Sequence, residues 1–428
     1  MKHKYLFVVM AIVSVFSLSI GALAQDDVVI APQACAEPGS LTMWVWDENW
    51  AEIIGNAIDL WIEEYCPGAE VDLQVQPWAQ YWDLLRTNAA GGTLPDVFNM
   101  NQPFFGDYAD VVLNLQPYLD EAGIDTSIWG SGMIDPYRVG EDGDLTAVPV
   151  NWDTIAIYYN KDMLDAAGLE YPDADWTWDD FAEYAEALTD PDNDVYGAAV
   201  YSEFQAGYAN WIAATGIAPI VNAERTECTV TAPESIEALT FLKDLQDAGY
   251  MPTISTMGGS SADDSFNFWL AGRVAMVSGG SWKLSTAFEQ ATFNWDVVKL
   301  PRHPDMESSR SILHAVGYVA SANTPNPDLA ANLILFLGSD EGQQFFAEGG
   351  NVAPANPGLQ DEWIDSFGDT DVNVQTFVDA IQNSQGVTFF GEINDVVGEI
   401  PVNIFDLGVS PEEAAQQACD AINEYLPR

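Results

Sequence analysis

Between Leu41 and Met100 the chain alternates two periodicities, and this restricts its fold more than any other feature. Leu41 to Trp46 reads as a strand, and Ile53, Ile54, Ala57, Ile58, Trp61, Ile62 and Tyr65 then recur at helical spacing. Val71, Leu73 and Val75 alternate at period two. Trp82, Leu84 and Leu85 continue as a helix that ends at Gly91-Gly92, and Asp96 to Met100 reads as a third strand. Strand-helix-strand-helix-strand is the pattern of an α/β unit on a mainly parallel sheet. In such sheets ligands bind beyond the carboxyl ends of the strands.

That rule selects residues. In LTMWVWDENW (41–50) the strand ends at Trp46, so Trp46 and Asp47 lie on the binding rim, with Glu48 and Asn49 just beyond. Trp44 is mid-strand and is expected in the core, because parallel sheets are buried on both faces. The same reasoning places Trp78 after the second strand and Asn99 and Asn101 at the end of the third. Three loops carrying Trp, Asp and Asn thus converge on one edge. Further on, 146–150 and 154–159 read as strands, 161–167 as a helix, and 177–190 as a helix with a cap-like start at Thr177 and Asp180. Helices also suit 233–248, 262–272, 328–347 and 412–425, and VAMVSGGSW (274–282) is a short apolar strand that breaks into a glycine turn.

A chain of 428 residues is long for one compact core and suits two or three domains. Its 66 Asp and Glu against 13 Lys and Arg give a formal charge of −53, which repels phosphate backbones and anionic membranes and excludes nucleic acid as a partner. The acidity fits a cationic or neutral ligand, or adaptation to salt or acid. Residues 1–24 read as a signal peptide: Lys2, His3 and Lys4 precede an apolar run, and Ala22-Leu23-Ala24 fits a small-x-small cleavage site. The mature chain is therefore expected outside the cytoplasm and soluble, with 25–39 as a linker. Four cysteines in an exported chain, Cys35, Cys66, Cys228 and Cys419, read as two disulfides with three possible connectivities.

Catalytic and metal-binding patterns are weak. No Cys-x-x-Cys or close histidine pair exists, so no metal or cofactor is expected. DPDND (190–194) resembles a calcium loop but has Val195 where glycine is needed, and reads as a turn. GGSSADD (258–264) lacks the lysine of a phosphate loop. His314 is the one mature histidine that could serve a Ser-His-Asp arrangement, without a nucleophile elbow. The aromatics say more. Fifteen tryptophans are present, and Trp78, Trp152, Trp211 and Trp282 fall where loops are expected. Trp and Tyr beside Asp, Asn and Glu is what sugar recognition requires: the C–H face of a pyranose stacks on a ring while its hydroxyls bond amides and carboxylates.

The ordered segments GTLPDVFNMN (92–101), AVPVNWDTIAIYYNKDML (147–164), WTWDDFAEYAEALTD (176–190), GRVAMVSGGSW (272–282) and 326–355 resemble the extracellular solute-binding proteins of family 1. These are the sugar-type receptors of ABC importers, including the maltodextrin-binding proteins. The resemblance runs from about residue 40 to the end. It implies a two-lobed, hinged α/β receptor that closes on its ligand. The first lobe would comprise 40–157 and 298–342, and the second 158–297 and 343–428. It implies Trp46, Asp47, Asn99, Asn101, Trp152, Asp153, Tyr208, Trp211 and Trp282 as ligand residues, with Phe389 or Phe390 at a C-terminal aromatic position. Glu48 and Asn49 stand where maltodextrin receptors carry basic residues. The lobe division suggests the pairs Cys35–Cys66 and Cys228–Cys419, one per lobe. The implied activity is carbohydrate delivery to a membrane permease by a monomer without chemistry of its own. A polyamine receptor of the same fold and a secreted carbohydrate-active enzyme are the alternatives.

Overall fold

A computed structural model describes residues 30–426 except 141, 201–203, 351 and 388–390. The expected signal peptide (1–24) and both Phe389 and Phe390 lie outside the described residues.

The first strand follows the alternation read from the sequence. In β1 (Ser40–Val45) Leu41, Met43 and Val45 are buried while Thr42 and Trp44 are partly exposed. Trp44 is thus not the core residue that a strand buried on both faces would make it; its indole N–H donates to Gln74 Oε1 at 3.0 Å. β1 runs parallel to β2 (Glu70–Val75) on one side and to β3 (Val97–Asn101) on the other. Asp96 holds this unit together, its carboxylate accepting from Thr42 N, Thr42 Oγ1 and Thr324 Oγ1. The helix Glu48–Leu60 (α1) follows β1, and Trp78–Gly91 (α2) follows β2 and stops at Gly92, whose φ of 67° suits glycine. A small hairpin, β4 (Arg138–Val139) with β5 (Asp144–Leu145), stands apart from the main sheets.

Two larger sheets carry the two lobes. One is seven-stranded in the order β12-β6-β11-β3-β1-β2, with β13 added against β11; the other is four-stranded in the order β10-β7-β9-β8. The relevant strands are β6 (Val148–Asp153), β7 (Ile155–Asn160), β8 (Tyr196–Ala199), β9 (Val274–Gly280), β10 (Trp295–Lys299), β11 (Ser311–Ala320), β12 (Ala353–Pro354) and β13 (Ser384–Gly386). The sheets are mixed rather than mainly parallel. β11 runs antiparallel to both β3 and β6, and β7 antiparallel to both β9 and β10, because these strands are entered from the opposite lobe.

The pairing locates the crossings. β6 belongs to the large sheet and β7 to the small one, so the chain crosses at Thr154 rather than near residue 157. It returns between β10 and β11, within 300–310, later than the expected 297/298. The third crossing also falls later than 342/343. β12 pairs with β6, and the helix Gln360–Asp365 packs beside β12, while the helix Gln375–Ala380 packs on β7 and β10. The crossings are tied to one another: Ile155 N donates to Ser311 Oγ at 2.9 Å, and Thr154 Oγ1 to Phe377 O at 2.8 Å. Residues 30–39 are no free linker, since Ile30 is buried and its N–H reaches Asp340 Oδ1 at 3.3 Å.

Both disulfides stay within a lobe. Cys35–Cys66 closes the β1–α1 unit and Cys228–Cys419 ties the second lobe, with Cα separations of 5.2 and 5.5 Å. DPDND forms a tight turn in which the Asp190 carboxylate caps Asp192 N and accepts from Asn193 Nδ2. Among the described residues no helix is long and apolar enough to cross a membrane. Because neither bridge spans the crossings, removing one pair (Cys35→Ser with Cys66→Ser, or Cys228→Ser with Cys419→Ser) should cost about 2–5 kcal/mol of stability. Ligand affinity should be unchanged. Thermal unfolding and calorimetry check this, and a lost affinity at unaltered stability would contradict it.

Candidate functional site

A cleft of about 740 Å³ lies between the lobes at the ends of β1, β3 and β6. Its first-lobe wall is aromatic. Trp46, the residue after β1, packs against Trp50 (ring centroids 5.3 Å apart), Trp78 (5.2 Å), Tyr81 (5.2 Å) and Trp82 (5.8 Å). Trp82 stacks in turn on Phe104 at 3.9 Å. Local chemistry sets this up: Asp47 Oδ1 accepts from Trp50 N at 3.1 Å at the start of α1 and turns the chain sharply after the strand. Trp78 opens α2 and is 41% exposed, the largest exposed aromatic face on the cleft. Such pairs contribute roughly 0.5–1.5 kcal/mol each beyond burial, so the wall is preformed.

The second-lobe wall is the turn after β9. Trp282 folds back over Gly280, where a Cβ would stand 1.8 Å from its ring, so only glycine leaves room for the indole there. Lys283 follows; it is buried, pairs with Asp263, and lies 5.5 Å from the Phe266 ring centroid. Ser261, Ala262 and Asp263, at the start of the helix Ala262–Leu270, and Glu289 complete this side.

The floor is polar. Asn101, Val316, His314 and Asp153 line it from β3, β11 and β6, on one sheet face because Asn101 pairs with Val316 and Asp153 with His314. Asp153 is 5% exposed and is the one Asp or Glu buried among the described residues. Its Oδ1 accepts from Ser281 Oγ at 2.6 Å across the crossing at Thr154. Burial raises the Asp153 pKa to about 7, against the opposing pull of the Ser281 hydroxyl and the Trp282 backbone N–H. His314 is pushed down to about 4 by burial, opposed by the Gln205 backbone, and so is neutral at physiological pH. Asn101 Oδ1 and both His314 ring nitrogens make no hydrogen bond of standard geometry with the described residues. Unpartnered buried polar atoms cost about 1–3 kcal/mol each, and here they line a cavity where a hydroxyl-bearing molecule would satisfy them.

Of the residues singled out from the sequence, the cleft brings together Trp46, Asp47, Trp78, Asn101, Asp153 and Trp282. Four others lie elsewhere. Asn99 is fully buried two residues behind Asn101 on the same sheet face, beside Tyr318. Trp152 alternates with Asp153 and so points to the opposite face, where it packs 6.1 Å from Trp363. Tyr208 and Trp211 belong to a fully buried helix, Tyr208–Ala214, rather than a loop. Tyr208 donates to Val397 O at 2.9 Å, and Trp211 packs among Trp178, Phe181 and Phe241. The sequence reading missed Asn56, Gln205, Lys283, Glu289 and the cleft position of His314. The one available signal was the sequence Ser281-Trp282-Lys283 directly after a glycine turn, which flags Lys283.

The bacterial extracellular solute-binding protein model matches residues 62–375. The chain belongs to this family. It is 25% identical over 226 residues to the maltodextrin-binding protein MdxE of Bacillus subtilis, covering 51% of this chain and 52% of that protein. It thus spans about half the length of that relative. It is also 22% identical over 351 residues to the galactooligosaccharide-binding protein of the same organism, covering 81% and 79%. In fold it is similar to the ABC substrate-binding protein Lmo0181 from Listeria monocytogenes, solved with cycloalternan. The TM-score is 0.81 at 24% identity, over 91% of this chain and 99% of that one. The family is one of bacterial extracellular solute-binding proteins, and the likeness in fold to the Listeria protein extends over both lobes.

For this family member the buried carboxylate has a stability consequence. Folded Asp153 keeps its proton up to about pH 7, whereas the unfolded group releases it near 4. Between those values the unfolded chain has released the proton that the folded chain keeps, so stability falls progressively as pH rises. Asp153→Asn cannot ionise and still accepts from Ser281. Its stability relative to the parent should rise across pH 4–7 by up to about 4 kcal/mol and stay level above. Chemical denaturation at several pH values measures this, and a pH-independent difference would contradict it.

Proposed function

We propose that the protein is an extracytoplasmic carbohydrate receptor that delivers a sugar or oligosaccharide to the permease of an ABC importer. It binds its ligand and does not convert it. The observation that carries this reading is the opposition of Trp46 and Trp78 on one lobe to Trp282 on the other, above a floor of buried, unpartnered hydrogen-bonding groups. Aromatic faces stack on the C–H faces of a pyranose, and Asn101, Asp153 and neutral His314 bond its hydroxyls. A volume of about 740 Å³ falls within the usual range of small-molecule sites, about 300–1,000 Å³. The family membership and the sugar-binding relatives support the same ligand class.

Closure follows from the two walls. A ligand that touches both lobes only when they approach has differential affinity for the closed state, and it shifts the population by that difference. A thermal-shift screen of neutral and amino mono-, di- and oligosaccharides, with spermidine beside them, tests the reading. A matching sugar at 100 times its Kd should add about 2.7 kcal/mol, read as a rise of several degrees. Trp282→Ala should abolish the rise without lowering the ligand-free stability by more than about 3 kcal/mol, the usual range for one substitution. Silence with every sugar, or a shift with spermidine alone, would overturn it.

A further inference from the structure

The chain carries 66 carboxylates and 13 Lys and Arg. Among the described residues one carboxylate and one such base are buried, Asp153 and Lys283, and both line the same cleft. They are not paired with each other. Lys283 bonds Asp263, on its own lobe, and lies beside Phe266. Asp153 has hydroxyl and backbone donors and no Lys, Arg or His in ion-pair contact. Buried charges are normally paired, because an uncompensated one costs several kcal/mol. With no Lys, Arg or His in ion-pair contact among the described residues, Asp153 avoids that cost as the neutral acid and can ionise only against a cation brought into the cleft.

The groups facing Asp153 do not fill that role. His314 lies across the β6–β11 ladder but is neutral. On β7, Tyr158 donates its hydroxyl to Gly280 O at 2.8 Å. Ser281 and the Trp282 N–H are neutral donors. The remaining cleft acids Asp47, Glu52, Asp263 and Glu289 add negative potential, and among the described residues Lys283 is the only Lys or Arg lining the cavity, already engaged. The unpartnered Asn101 Oδ1 adds a buried acceptor. Phosphate, uronate or sialate would meet acceptors and carboxylates. An ammonium would meet a carboxylate, an amide oxygen and tryptophan faces, each of which attracts it.

We infer that the ligand is an amino sugar or an oligosaccharide containing one, bound with its protonated amine against the Asp153 carboxylate and its ring against Trp46, Trp78 or Trp282. This rests on the receptor reading above and narrows it to a chemical class. Because free Asp153 holds its proton up to about pH 7, an ammonium arriving below that pH displaces it. The proton leaves Asp153 for solvent, the amine keeps its own, and the pair forms between carboxylate and ammonium.

The test uses the mature chain and pairs of di- and trisaccharides, in α- and β-linkage, that differ only by NH3+ in place of one OH. Isothermal titration at pH 6 in buffers of different ionisation enthalpy gives affinity and proton release together. The amine member of at least one pair should bind tenfold or more tightly, with release of a substantial fraction of a proton. In Asp153→Asn the affinity ratio within the pair should fall to about one and the proton release should vanish, whatever happens to the affinity of the hydroxyl member. Equal affinity within every pair that binds, or a preference that survives in Asp153→Asn, overturns the inference and leaves the sugar-receptor reading intact. Binding of spermidine without any sugar overturns both.

Discussion

Asp153 accepts its hydrogen bond from Ser281 across the single residue, Thr154, where the chain passes from one sheet to the other. The rest of the cleft is arranged around that crossing. On one side β6 presents Asp153 beside His314 of β11; on the other, the turn after β9 presents Trp282 and Lys283. Ser281 N also donates to Thr154 O at 3.3 Å, so the second-lobe wall is tied to the crossing itself. A small change in backbone angle at Thr154 would therefore move Trp282 relative to Trp46 and Trp78 while each wall stays internally rigid. The walls are rigid for different reasons, one through ring-on-ring packing and the other through a glycine that lets the indole lie flat on the chain.

What the sequence revealed and what it hid follow from the range of the interactions concerned. Trp46, Asp47 and Trp78 were legible because a period-two run ending in a polar residue marks a strand end, and strand ends carry sites. Asn101 followed from the same rule; Asn99 did not, because two residues back along one face is already beneath the floor. Trp152 failed through parity: its neighbour Asp153 faces the cleft, and a strand sends adjacent side chains to opposite faces. Trp211 failed because an aromatic run with no apolar stripe reads as a loop, and Tyr208, implied by the resemblance alone, lies with it in a helix whose every residue is buried. His314 could not be placed from sequence, since only the long-range pairing of β11 with β6 brings it to Asp153. The late third crossing was hidden for a similar reason: β12 is two residues long and shows no periodicity.

The extreme acidity bears on the site in an unexpected way. A formal charge of −53 covers the surface with carboxylates that stay in water and cost little. Desolvation is what makes one of them informative, because its price is charged only where water is excluded. Asp153 alone meets that condition among the described residues, and it does so inside the ligand cleft. The charge pattern thus speaks to ligand chemistry through one buried residue, and to solubility through the others.

The most direct test of the two-walled clamp is small-angle X-ray scattering of the mature chain, alone and with the sugar that stabilises it most. Closure around a ligand held between Trp46, Trp78 and Trp282 predicts a smaller radius of gyration in the complex, and no such change in Trp282→Ala at the same sugar concentration. An unchanged radius at demonstrated saturation would contradict the account, because the ligand would then be held by one lobe alone.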